Sequence, residues 1–276
     1  MTFSPATNLR ESLNRHYGLL LVAVKEELAY RFEFFMTIVG SVLMMTMLYY
    51  LWTAIYNSAE SLTMSYQSLI TYICLGQAFS FARPGQRRVI TRISNGIRSG
   101  NVVLDLVRPA DYQTLHFSAT LGSYLMEAVM VSLPAFLVAV LVFGIDLPAS
   151  SAATVGFILS LSAAFLLVFC LDFFIGLLSF WTVSVWGLTY AKVAVLDILA
   201  GTIIPLSLFP DWLRRIALLL PFQGMAYTPL SIYIGEIQGG AIWLNIGGQL
   251  LWAVILLGLT RLLWLKARRR IEIQGG

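Results

Sequence analysis

Four ionisable residues stand inside long apolar text: Glu127, Asp172, Lys192 and Asp197. An acidic residue at the centre of a membrane helix costs roughly 2.5–3.5 kcal/mol on insertion scales, so each of these must face protein or water. Two kinds of chemistry suit them. Asp172 or Asp197 could line a path for a cationic substrate, or carboxylates could relay protons across a membrane. The structural alternative is glue between helices. On that reading Lys192 neutralises Glu127 or Asp197, and the aspartates are satisfied by Ser, Thr and Tyr neighbours. Other constellations are absent. Cys74 and Cys170 fall in apolar runs and read as small buried hydrophobes, and His16 and His116 are too few and too distant to form a ligand cluster. No HExxH, no GxSxG and no GxxxxGK[ST] occurs, and the only lysines are Lys25, Lys192 and Lys266. The chain itself is therefore expected to hold no metal or cofactor, to be no enzyme, and not to hydrolyse ATP alone in the manner of that phosphate loop.

The elements that position these residues follow from composition. Of 276 residues, 58% are hydrophobic and 12% charged, against about 25% charged in soluble domains. Mean hydropathy is +0.80. So few charges could not cover a soluble surface, and disorder needs the opposite composition. The fold class is all-α integral membrane, one domain over residues 1–276. A bilayer core takes about 20 apolar residues per helix. Six segments meet that: 34–56, 62–81, 117–143, 152–181, 186–209 and 241–264. Before them, Leu9, Leu13, Tyr17, Leu20, Leu21, Val24 and Leu28 recur at helical spacing, with polar residues opposite. Residues 1–33 thus read as an interfacial amphipathic helix, not a cleavable signal. Residues 265–276 read as a basic cytoplasmic tail.

Basic residues set the orientation. Arg10, Arg15, Lys25 and Arg31 precede the first span. Arg83, Arg87, Arg88, Arg92, Arg98 and Arg108 lie between spans two and three, and Arg261, Lys266, Arg268, Arg269 and Arg270 close span six. Lys192 opens span five, and Arg214 and Arg215 follow it. The positive-inside rule puts both termini and the 82–116 loop in the cytoplasm. A multi-pass protein of a bacterial plasma (inner) membrane is the simplest expectation, with membrane lipid and no nucleic acid as partner.

Two connecting segments carry patterns of their own. In the loop, Ile90, Ile93 and Ile97 fall on one helical face beside Arg87, Arg88, Arg92 and Arg98, and Gly100 follows as a stop. Val102, Val103, Leu104, Leu106 and Val107 then lead to Arg108–Pro109. An exposed apolar stripe in a short loop needs cover. It either docks a cytoplasmic subunit or rests on the membrane, with its arginines near anionic headgroups. The second segment, 201–236, is apolar text punctuated by Pro205, Pro210, Pro221 and Pro229. Between Pro210 and Pro221, Leu213, Ile216, Ala217 and Leu220 share a face opposite Arg214 and Arg215. This reads as a broken re-entrant hairpin on the outer side, with Trp212 at the interface. Irregular backbone at that depth requires protein or a water-filled cavity to cover it.

These stretches resemble the permease subunits of type-2 ATP-binding-cassette exporters, most nearly the viologen and drug export branch. The likeness rests on ISNGIRSGNVVLDLVRP (Ile93–Pro109), with its Ile-x-x-Gly and terminal Arg-Pro. It rests also on the proline-broken 201–236 segment, with Gly201 and Phe222, and on Phe180–Trp181–Thr182. The six-span layout agrees along the whole chain. The resemblance implies two permeases, identical or related, each docked to one of two cytoplasmic ATPase subunits that bind ATP and Mg. It implies a coupling helix around 87–97, with Arg108 closing the segment, and an outer hairpin guarding the exit. The path would suit an amphipathic or lipophilic substrate: drug-like, natural product or lipid. The rival expectation is a proton-driven secondary transporter using the intramembrane carboxylates. That class commonly shows inverted repeats, and none joins residues 34–143 to 152–264. An integral-membrane enzyme or assembly factor is disfavoured by the missing catalytic cluster.

Overall fold

The computed structural model describes residues 31–58, 64–79, 88–107, 111–182 and 184–274, together with Gly18. The amphipathic leader helix, Arg87 and Arg108 lie outside the described residues, as does the side chain of Arg88. Every regular element among the described residues is helical. In chain order they are α1 (Arg31–Ser58), α2 (Tyr66–Ala78), α3 (Arg88–Arg98), α4 (Val102–Val107), α5 (Tyr112–Glu127), α6 (Leu133–Phe143), α7 (Ser151–Leu177), α8 (Trp186–Leu199), α9 (Asp211–Leu219), α10 (Tyr227–Tyr233) and α11 (Gly240–Gln274).

Four stretches are long and apolar enough to cross a bilayer: Phe32–Ser58, Tyr112–Phe143, Ser151–Phe180 and Gly240–Arg270. They correspond to expected spans one, three, four and six. Expected spans two and five take another form. α2 has 13 residues and α8 has 14, each about 20 Å of helix against a hydrocarbon core of about 30 Å. Ser65 starts α2 by accepting the Ser68 N–H on its hydroxyl, and the helix is buried from Leu69 to Ala78. α8 stops at Leu199 because Gly201 adopts φ +77°, a left-handed conformation that ends helices. A single 3₁₀ turn, Leu206–Leu208, follows Pro205. The apolar text to residue 209 is thus no continuous helix.

The third span carries a π turn, Ala128–Ser132, between α5 and α6. Pro134 follows at once. It has no N–H to give to the preceding turn, and its ring crowds the carbonyl four residues back. The extra residue per turn relieves that conflict. Glu127 is the last residue of α5, half-buried at the edge of this π turn.

α7 is the hub. It packs on α11, α3 and α10, and 61% of its apolar window is buried, against 17–22% for the other three long helices. Those three expose Leu43, Met47, Leu141, Leu244, Val254 and similar side chains, as helices facing hydrocarbon do. α11 continues helical through the basic stretch expected as a tail, to Gln274. There Trp264 stacks on Tyr112, centroids 4.0 Å apart and planes 8° from parallel. Arg270 donates to the Phe180 carbonyl at 3.2 Å and lies over the Trp181 ring. Asp111 caps α5 through the Gln113 and Thr114 N–H groups and also pairs with Arg261 of α11.

Candidate functional site

Three assemblies hold the residues singled out by sequence. The first is the loop helix α3. Its apolar stripe is not exposed: Val89, Ile90 and Ile93 are buried and Ile97 is half-buried. What covers them is neither a partner nor the membrane surface, as the sequence suggested, but the end of α7, with Phe173, Leu177 and Val185 in the same cluster. Gly176 makes the approach possible. A Cβ there would lie 2.9 Å from Ile93 Cδ1 and 3.5 Å from Ile90 Cα. Periodicity reveals a face but not its cover, and Gly176 stands 83 positions downstream of Ile93. The opposite face of α3 exposes Thr91, Arg92, Asn95 and Arg98. Gly100, at φ +74°, turns the chain into α4. There Val102 is buried, while Val103, Leu104 and Leu106 stand exposed. Among the described residues of this loop, the exposed apolar surface is therefore on α4.

The second assembly is a charge pair. Lys192 Nζ lies 2.6 Å from Asp172 Oδ1, with both side chains 2% exposed. The pair expected from sequence, Lys192 with Glu127 or Asp197, does not form. Asp172 on α7 and Lys192 on α8 sit either side of the 3₁₀ turn Leu178–Phe180 and the short link after it, and folding back across that link brings them together. Asp197 is one turn and more further along α8 and half-buried. Asp172 is thus tied into the α7–α8 junction.

The third assembly is the proline-broken segment at the opposite end of α7. Gly201 is pinned to α2 by Tyr72, whose Oη donates to the Gly201 carbonyl at 2.8 Å. Pro205, Pro221 and Pro229 are buried, Pro210 is exposed and Phe222 half-buried. α10 is buried along its whole length. Of the apolar face of α9 read from the sequence, Ala217 is buried, Leu213 and Leu220 are half-buried, and Ile216 faces outward. Trp212 and Leu219 also point outward, while Arg214 is half-buried. Asp211 and Arg215 are exposed as well, so the outer surface of α9 carries both apolar and charged groups.

Sequence reasoning missed Gln249, a polar residue in the apolar text of α11. It is buried and lies between three elements. Its Nε2 donates to the Gly224 carbonyl at 2.6 Å and to the Ser160 carbonyl at 3.2 Å, and its Oε1 accepts from Ser160 Oγ at 2.9 Å. This fixes the Pro221–Met225 turn to α7 and α11. Gln249→Leu strands those partners in a dry interior, and a buried polar group left unsatisfied costs about 1–3 kcal/mol. The expected result is a lower thermal midpoint for the detergent-purified variant than for wild type, and an unchanged midpoint would remove Gln249 as the anchor of that turn.

A family model described as ABC-2 family transporter protein matches residues 33–275. No curated protein matches the chain.

Proposed function

The chain belongs to the ABC-2 transporter family, whose members are the membrane-embedded permease components of ABC transporters and work with an ATPase and a second permease, and we propose that it exports an amphipathic or lipophilic compound. Substrates of drug-like, natural-product or lipid character fit, as in the viologen and drug export branch it resembles. The full traverse has six spans when the short helices α2 and α8 are counted with the four long ones. The basic residues then place α3, α4 and both termini in the cytoplasm of a bacterial inner membrane, and the α9–α10 hairpin on the outer side.

The α3–α7 junction is the observation that carries this reading. Ile90 and Ile93 are clasped at Gly176, so α3 moves as one body with the hub helix of the permease. A push on α3 by an ATPase, which binds and hydrolyses ATP with Mg, passes into α7 directly. The α4 side chains Val103, Leu104 and Leu106, with the exposed polar face of α3, offer the docking surface for one such subunit. Two permeases, alike or related, complete the path with two ATPases. Engagement of Asp172 by Lys192 takes that carboxylate out of the proton-driven alternative and leaves it Glu127 and Asp197.

Isolation of the tagged chain from its native membrane in mild detergent, with companions identified by mass spectrometry, tests the proposal. An ATPase subunit is expected with the wild-type chain. Leu104→Glu places a charge on the exposed apolar patch without touching the α3–α7 contact. It is expected to lower ATPase recovery by about tenfold, the equivalent of 1.4 kcal/mol, at an unchanged thermal midpoint. Full recovery with Leu104→Glu would move the docking surface elsewhere. A wild-type chain that emerges alone at several detergent strengths would favour the proton-driven alternative.

A further inference from the structure

At the end of the molecule opposite α3 lies a cavity of about 350 Å³, bordered by Ser65, Ser68, Ser207, Arg214, Gly235 and Glu236. Its polar groups come from four separate segments. Ser65 and Ser68 form the first turn of α2, the positive end of that helix dipole. Arg214 projects from α9, and its Nε is buried without a hydrogen-bond partner, as is Ser207 Oγ after Pro205. Glu236 follows α10. Its carboxylate is held in place by Ser231 Oγ at 3.0 Å and by Tyr227 Oη at 3.4 Å.

Arg214 and Glu236 line the same cavity, yet among the described residues no ion pair joins them. A buried guanidinium N–H and a buried hydroxyl with no acceptor favour an oxyanion. The Glu236 carboxylate in the same lining, held by Ser231 and Tyr227, repels a simple anion and favours a cation. One ligand satisfies both: a zwitterion. The level of the cavity agrees with the headgroup region. On α9 the residues opposite Arg214, namely Trp212, Ile216 and Leu219, are exposed, and a tryptophan beside leucine and isoleucine marks the boundary between hydrocarbon and headgroups.

We propose that this cavity binds a zwitterion of the phosphoethanolamine type. The phosphate sits against Arg214, Ser207 and the start of α2, and the ammonium sits against Glu236. The proposal uses the membrane setting of the chain but neither transport nor an ATPase, so its failure leaves the permease reading intact.

The test is lipid retention by the purified full chain, read by native mass spectrometry after exposure to phosphatidylethanolamine, phosphatidylglycerol or phosphatidylcholine. Preferential retention of phosphatidylethanolamine is expected. Arg214→Gln and Glu236→Gln are each expected to weaken it by about tenfold or more. If Arg214→Gln does not fold, Ser207→Ala removes only a hydroxyl and is expected to weaken retention in the same direction. Displacement by soluble O-phosphoethanolamine at millimolar concentration would support the chemistry and identify a soluble source. Resistance to displacement, with phosphatidylethanolamine retained, identifies the lipid. Equal retention by wild type and both charge variants would overturn the proposal. So would phosphatidylglycerol binding as well as phosphatidylethanolamine and responding to Arg214→Gln alone.

Discussion

Asp172→Asn is expected to cost the folded chain about 3–5 kcal/mol, the penalty for leaving one member of a buried ion pair without its partner. The geometry allows little escape. Lys192 Nζ sits 2.6 Å from Asp172 Oδ1, and each side chain is 2% exposed, so water cannot replace the lost carboxylate without opening the α7–α8 junction. Lys192→Met is expected to cost a similar amount by stranding the aspartate. The double variant Asp172→Leu/Lys192→Met removes both charges and fills the space with apolar atoms. Replacing a whole buried pair in this way is often neutral, so the double is expected to lie near wild type and far above the sum of the singles. Thermal midpoints of the four proteins in one detergent complete the cycle, and the coupling energy follows from the non-additivity. Additive losses would show that the two residues act independently. Transport by the double separates structure from path. If it folds and exports like wild type, the pair is glue between α7 and α8. If it folds like wild type but fails to export, the charge pair belongs to the path.

The all-helical membrane class was legible because hydrophobic run length depends on nothing outside the run. The fourth span shows this best, expected at 152–181 and found as Ser151–Leu177 with a 3₁₀ extension to Phe180. The fifth was misjudged because hydropathy measures apolar text, not helical continuity. Gly201 at φ +77° ends α8, while Thr202, Ile203 and Ile204 keep the text apolar. Partner choice was also out of reach. Lys192 has Asp197 five residues away in sequence, yet a helix sets i and i+5 well apart around its axis, and the fold across the α7–α8 link supplies Asp172 instead. The two faces of α9 were legible, but their sense was not: Trp212, Ile216 and Leu219 are exposed while Ala217 is buried, because periodicity does not say which neighbour each face meets. Gln249 was visible as a polar residue in an apolar helix. The intramembrane rule covers such residues as well as charged ones, and applying it to amides would have found this anchor.

The α3–α7 junction yields the second large effect, and it separates docking from transmission. Ile93→Ala leaves a void at a fully enclosed site and is expected to cost about 2–5 kcal/mol. A subtler probe acts from the other side. Gly176→Ala would put a methyl 2.9 Å from Ile93 Cδ1 and 3.3 Å from Ile93 Cβ, which pries α3 away from the hub at a cost of about 1–3 kcal/mol for overpacking. Ile93→Val deletes Cδ1, the atom in closest conflict, so Gly176→Ala/Ile93→Val is expected to recover the wild-type thermal midpoint in large part. If α3 transmits the ATPase stroke, Gly176→Ala retains the ATPase through α4 but exports more slowly per ATP hydrolysed, and the double restores that ratio. Leu104→Glu behaves in the opposite way, losing the ATPase while the junction stays intact. Wild-type export per ATP by a folded Gly176→Ala chain would mean that force enters the permease by another route. The contrast between the two variants depends on Ile90 and Ile93 facing α7: a stripe turned toward the ATPase would make a junction variant and a docking variant fail alike.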